Sequence, residues 1–202
     1  MNQFDENILF NKHNLNKSAD LAYFSFQNYD KFDMRAHHHK EIEIMYVYSG
    51  KASVFYTQDN VKYEEVVLNG NQYILIDSNV KHKLVVDSHG VTIYSVLITV
   101  RNSKDDYFTF RQLYDVDPKF RYFIEHGQLV YKAFDNNLIL ETIKLIQKYT
   151  LDVRKSNMSK IKLQSMLSTL FISLAGSYND QFKDVRANRI NLATNYIQNH
   201  LR

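Results

Sequence analysis

Up to about residue 104, short runs of β-branched and aromatic residues alternate with clusters of turn formers. The runs predict strands over 22–29, 41–48, 52–57, 61–68, 72–76, 83–86 and 91–100. Between them, Gln58-Asp59-Asn60, Asn69-Gly70-Asn71, Asp77-Ser78-Asn79 and Ser88-His89-Gly90 supply the turns. Gly50, Gly70 and Gly90 each fall at a predicted strand boundary, where positive φ is often required. So many strands with no helix between them predict a β-sandwich or barrel. Strand 41–48 is apolar on both faces: Ile42, Ile44, Tyr46 and Tyr48 on one, Met45 and Val47 beside Glu41 and Glu43 on the other. Such a strand is expected to be covered on both sides, by the barrel interior and by a helix or second subunit.

Beyond residue 104 the period changes. The aromatic-rich segment 105–134 is ambiguous, interrupted by Pro118 and Gly127. From 136 to 153, Ile139, Ile143 and Ile146 recur at helical spacing. Ser156 or Asn157 is placed to cap a second helix, whose wide stripe comprises Leu163, Met166, Leu167, Leu170, Phe171 and Leu174. Gly176 is its expected stop. The two helices predict an antiparallel hairpin, and the stripe around Leu167 and Leu170 predicts a homodimer through 136–175. After a polar joint at 178–183, Ile190, Ala193, Ile197 and Leu201 form a last helical pattern over 184–202. One amphipathic helix cannot bury its own face, so it reads as the first element of something further.

At 202 residues with 45% hydrophobic and 23% charged residues, the chain has an ordinary globular composition. A net charge of +3 is too small to argue for nucleic acid. With no cysteine, thiolate metal sites and disulfides are excluded. Residues 1–20 carry no signal-peptide pattern, and no apolar run approaches the ~20 residues of a membrane span; the expected location is the cytoplasm. There is no Gly-rich phosphate loop, nucleophile elbow or zinc-ribbon spacing.

The chemistry concentrates at His37-His38-His39 and Glu43, with His82 following later. On a strand, His37, His39 and Glu43 share a face by parity. Imidazoles and a carboxylate converging on one spot suit a divalent metal (Zn, Ni, Mn or Fe) or line a pocket that hydrogen-bonds a polar ligand. Glu41 shares the parity of Glu43 and is expected at the rim, while His38 faces the other way. Tyr46 and Tyr94, on predicted strands, are candidates to stack on a sugar or similar metabolite.

His37, His39, Glu43 and Gly50 also spell a motif, HxH-x3-E-x6-G, that resembles the first motif of the cupin fold. Gly70 and His82 bound a segment similar to the second, with Asp77 and Asn79 where proline and glycine are usual. More specifically, "HHHKEIEIMYVYSGKASVFY" and "LNGNQYILIDSNVKHKL" resemble the sensing and dimerisation domain of AraC-type transcription regulators. "INLATNYIQNHL" is similar to the first helix of that family's DNA-binding domain. The resemblance implies a mainly β protein with α: a cupin-like double-stranded β-helix, or jelly-roll barrel, followed by an antiparallel helical hairpin. Its implied divisions are an arm (1–20), a sensor barrel (21–103), a helical dimerisation or linker region (104–183) and the start of a truncated helix-turn-helix domain (184–202). The implied function is ligand sensing coupled to DNA-binding domains absent from this chain, without catalysis, with a small-molecule effector such as a sugar. The alternative is a metal-dependent cupin enzyme, an isomerase or dioxygenase. The fragment itself is expected not to bind DNA specifically.

Overall fold

β-Branched residues at alternating positions build two antiparallel sheets that share one long strand. The structure, a computed structural model, describes residues 9–102, 108–135, 138–152 and 157–200; for 152, 157 and 182–200 it describes only the helical backbone. The strands are β1 (Lys17–Tyr29), β2 (Phe32–Asp33), β3 (Ile42–Thr57), β4 (Glu64–Asn69), β5 (Gln72–Ile76), β6 (Lys81–Val86), β7 (Val91–Asn102) and β8 (Val130–Phe134). The helices are α1 (Phe110–Val116), α2 (Pro118–His126), α3 (Leu138–Asp152) and α4 (Asn157–His200).

The first sheet runs β1-β7-β3-β5-β8. In the second, β6 lies between β2 and the far half of β3, and β4 pairs the other edge of β3. The predicted strands 41–48 and 52–57 are therefore one element. Its first half, to Gly50, pairs with β7 and β5, and its second half, from Lys51, pairs with β4 and β6. The register shifts between Val47 and Ser49, and Gly50 takes φ 85° where the strand passes from one sheet to the other. Gly90 also adopts positive φ, but Gly70 does not: in that turn Asn71 takes φ 63° instead.

This crossing produces the two-sided strand that the sequence predicts. Met45, Val47, Val54, Ile74, Leu84 and Ile93 pack between the sheets. Ile42, Ile44 and Tyr46, on the alternate face, pack with Ile139, Ile143, Leu167 and Leu170 of the helices. The expected cupin-like β-sandwich followed by helices is thus present. Residues from Leu9 onward, which were expected to belong to an arm, are built into it: Leu9 and Leu15 are buried in the helical cluster, and β1 begins at Lys17.

The ambiguous segment resolves into two short helices and a strand. Asp117 accepts a hydrogen bond from the Lys119 N–H and caps α2, with Pro118 at its first position, where a missing N–H costs nothing. β8 escapes the pattern because it is short and covered on both faces: Val130 joins the cluster between the sheets, Tyr131 and Ala133 the helical one. α3 and α4 are joined by four residues, which forces antiparallel neighbours.

Two helical expectations need correction. Gly176 does not stop α4, which continues to His200. The supposed joint is anchored rather than free. The Tyr178 hydroxyl donates to the His126 carbonyl at 2.6 Å, and the Asn179 amide donates to the Lys119 carbonyl at 2.8 Å. Second, Leu167 and Leu170 are both 0% exposed within this chain, so they are core and unavailable to a second copy. The caps expected at Ser156 or Asn157, and the side-chain pattern over 184–202, fall outside the described residues. A Cβ on Gly176 would meet nothing within 4 Å. Gly176→Ala is therefore expected to raise stability by about 0.5–1 kcal/mol, read as a higher urea midpoint at unchanged slope. Among the described residues no helix is long and apolar enough to cross a membrane.

Candidate functional site

Glu43 is the second residue of β3, opposite Ile76 of β5 and Leu97 of β7, and points between the sheets with Met45 and Val47. His82 lies on β6, opposite Tyr56 of β3. His37 and His39 sit on no continuous strand, so parity does not align them. Instead His37 forms a two-way backbone bridge with His82, N–H to carbonyl at 3.0 and 2.9 Å. His39 is fixed by the turn after β5, where the Asn79 N–H donates to its carbonyl at 2.8 Å. Asn79 holds φ 61°, the conformation for which a glycine is usual at this point of the resembling motif.

One ligand atom from each of His37, His39, Glu43 and His82 lies within 4.8 Å of the others. Glu43 Oε2 is 3.0 Å from His39 Nε2 and 2.9 Å from His82 Nε2. Each ring also turns its Nδ1 to a backbone carbonyl: His37 to Arg35 at 3.2 Å, His39 to Glu41 at 3.0 Å, His82 to Val80 at 2.8 Å. A carbonyl only accepts, so Nδ1 carries the proton in all three rings. In a neutral ring that leaves Nε2 as a lone pair, and in His39 and His82 it faces a carboxylate, which also only accepts. A proton on Nε2 resolves the conflict by making the ring cationic. A divalent cation between Nε2 and the carboxylate resolves it without charging the ring. Carbonyl-bound Nδ1 atoms behind converging Nε2 lone pairs are the outer-shell arrangement that metal-bound histidine requires.

The residues present therefore fit a divalent first-row cation on nitrogen and oxygen donors. His37, His39, His82 and Glu43 would hold it, with positions left open on an octahedral ion. A bound cation would supply Lewis acidity and a point of attachment for an anionic or hydroxylic ligand.

Charge at the site follows from burial and pairing. Burial of Glu43 opposes its ionisation, yet the hydrogen bonds from His39 and His82 outweigh it and hold the carboxyl at about 2. The hydrogen bond to Glu43 raises His39, whereas burial and the neighbouring His82 lower His37. For metal-free protein the signs are definite. A depressed Glu43 contributes stability that is complete above its unfolded value of 4.5 and is lost as pH falls toward 2. A raised His39 contributes stability that is complete below 6.5 and is lost as pH rises past its folded value. Urea melts of chelator-treated protein should place the largest difference between wild type and Glu43→Gln between pH 4.5 and 6.5.

Tyr46 and Tyr94 are not part of this constellation. Tyr46 has even parity and Glu43 odd parity on the same strand, so Tyr46 faces the helices, and Tyr94 pairs beside it on that side. Tyr94 stacks on Phe26 with centroids 4.3 Å apart. Glu41 is at the rim, its carboxylate 3.6 Å from His39 Nδ1, and His38 is exposed. A surface groove of about 670 Å³ lies elsewhere, lined by Met34, Arg35, Phe55, Tyr63 and Lys83. Phe55 and Lys83 alternate with inward-facing Val54 and Leu84, so the groove is on the outer face of the second sheet.

Residues 22–108 match the family model of the AraC-like ligand binding domain. That span covers all four clustered side chains. No curated protein matches the chain. Among solved structures, the chain is similar to the Drosophila melanogaster CENP-C cupin domain at 14% identity and TM-score 0.35, covering 38% of this chain and 60% of that one. It is similar to Bacillus subtilis oxalate decarboxylase, a protein with Mn(II) centres, at 19% identity and TM-score 0.32, covering 52% and 28%. It is also similar to YhaK from Escherichia coli at 11% identity and TM-score 0.41, covering 62% and 47%. The chain spans less than two thirds of the length of each of these structures.

Proposed function

We propose that this chain is the ligand-sensing and dimerisation part of an AraC-type transcription regulator, with the His37–His39–Glu43–His82 cluster as its effector site. The observation that carries this reading is the convergence of these groups within the span that matches the ligand-binding family. The same strand offers a route outward. Ile42 and Ile44, flanking Glu43 in sequence, face the helices, so a displacement at the site is felt at the contact with α3 and α4. DNA binding belongs to helix-turn-helix units beyond the barrel, and the cytoplasm is the corresponding location.

A thermal-shift screen tests the reading, using Ni²⁺, Zn²⁺, Mn²⁺ and Fe²⁺ alone and then sugars and small metabolites with and without each cation. An effector at a hundred times its Kd should add about 2.7 kcal/mol, which for a domain of this size raises Tm by roughly 5–10 °C. No shift with any cation or metabolite, together with normal folding, would remove the effector site. The enzyme reading keeps one observation in its favour, the carbonyl-fixed histidines around Glu43. Stoichiometric redox metal with turnover of a substrate would promote it.

Dimerisation through the helices requires a face other than the buried one. On α4, Met158, Ile161 and Ile172 are exposed on the stripe that also holds Ser165 and Thr169. Those hydroxyls donate to the Ile161 and Ser165 carbonyls, which leaves the stripe free of unmet polar demand. The double substitution Ile161→Glu, Ile172→Glu should give a folded monomer by sedimentation, melting as wild type does at concentrations low enough for wild type to be monomeric as well. A wild type that stays monomeric at every concentration would reject the interface.

A further inference from the structure

Four consecutive residues, Asp33 to Ala36, line the groove on the outer face of the second sheet, which a regular strand with alternating side chains cannot do. The pairing shows why. Asp33 lies opposite Val85, and the Met34 N–H donates to the Leu84 carbonyl at 2.9 Å, yet the next paired residue, His37, lies opposite His82. Three steps along this segment match two along β6, so Arg35 and Ala36 together face Lys83 in a bulge. The bulge divides Arg35 between two surroundings. Its carbonyl turns to Nδ1 of His37 at 3.2 Å, while its side chain lines the groove.

The rest of the groove has one chemical character. At about 670 Å³ it is of the size that holds small molecules. Phe55 and Tyr63 supply aromatic surface, and Tyr63 is 38% exposed. Two cations border these rings. Lys83 stands directly opposite Phe55 on the neighbouring strand, its ammonium 5.5 Å from the ring centroid. The same ammonium pairs with Asp33 at 3.0 Å, an acid whose side chain is 69% exposed and free to turn to solvent. Arg35 is exposed, and among the described residues no acidic side chain pairs with it. The acids of the adjoining β4 are engaged elsewhere: Glu65 accepts the Ser53 hydroxyl at 2.7 Å and Glu64 the Tyr56 hydroxyl at 2.5 Å. Aromatic faces beside an unpaired guanidinium suit a ligand that is flat at one end and anionic at the other.

We propose that this groove is a second binding site, for an aryl carboxylate. The planar fork of Arg35 takes the carboxylate. The aromatic body lies against Phe55 and Tyr63. Lys83 adds a second positive charge once Asp33 yields it. Lys83 and His82 are neighbours on β6 and face opposite sides of the sheet, so the site stands whatever the histidine cluster binds.

The probe is 2-naphthoate, titrated into the chelator-treated full chain. Its uncharged counterpart is 2-naphthalenemethanol, and octanoate serves as an anion without a flat body. Naphthoate should saturate at one per chain, about tenfold tighter than either control, and weaken as salt is added. It should also shift the backbone ¹⁵N signals of Ala36 and Lys83. Arg35→Gln, at an exposed position, should weaken binding about tenfold. Asp33→Asn should strengthen it about threefold, because Lys83 no longer gives up an ion pair; an effect through folding alone would have the opposite sign. Absence of saturable binding to folded protein would overturn the site, and so would binding indifferent to Arg35→Gln. Equal binding of the alcohol would remove the anion from the proposal, and tighter binding of octanoate would remove the flat body. Binding lost in Glu43→Gln but kept in Arg35→Gln would place naphthoate at the histidine cluster and reject the groove.

Discussion

Glu43→Ala is expected to cost about 3–5 kcal/mol of stability, the usual penalty for breaking a buried charged pair. The carboxylate is 6% exposed and receives two imidazoles on one oxygen, so its removal leaves His39 and His82 facing an empty space. His82 cannot turn away to find water, because it is 0% exposed and its backbone is bridged to His37. Glu43→Gln keeps the shape and should lose less, about 1–3 kcal/mol. It should nevertheless abolish cation binding almost as completely, since the anionic donor is gone. Paired urea melts and cation titrations separate the two effects. A Glu43→Gln protein that binds cation as wild type does would show that the carboxylate is not a ligand.

Gly50→Ala should be equally severe, for a reason remote from the chemistry. The added Cβ would stand 2.4 Å from the Gly90 carbonyl oxygen and 2.9 Å from Val91 Cα, both backbone atoms that cannot swing aside. The residue must also hold φ 85°. Left-handed strain costs about 1–3 kcal/mol and overpacking about 1–3 more. The expected loss of about 3 kcal/mol lowers Tm by roughly 6–12 °C. Because β3 changes sheets at this point, the damage should reach Glu43 and the pairing with β6 that presents His82. An alanine variant with wild-type Tm would mean that the two sheets are not joined this way.

The parts of this fold that the sequence discloses are those with a clean period. Strands 72–76 and 91–100 lie within or match β5 and β7, because alternation and turn residues bound them. The split of β3 into two predicted strands arose from reading Gly50 as an end, when its positive φ serves a crossing inside one strand. β8 gives no signal because five residues covered on both faces carry no alternation. Gly176 read as a stop because composition is local, while the anchors that carry α4 past it, Tyr178 and Asn179, bond to residues of α2 far away in sequence.

The site divides in the same manner. His37, His39, Glu43 and His82 were legible because residue type and spacing alone name them. The strand parity invoked for the histidines was not their real cause, which is the bridge to His82 and the turn at Asn79. Tyr46 was misplaced although parity already set it opposite Glu43. The carbonyls of Arg35, Glu41 and Val80, which decide which nitrogen of each ring faces the centre, carry no side-chain signature. No reading of residue types reaches them.

The most direct measurement is X-ray absorption on protein stripped with chelator and then given one equivalent of Ni²⁺. Three imidazole rings and one carboxylate oxygen around a single nickel are expected, with one imidazole lost in His82→Ala. A nickel surrounded only by water-like oxygens, or a spectrum indifferent to His82, would contradict the cation site at Glu43.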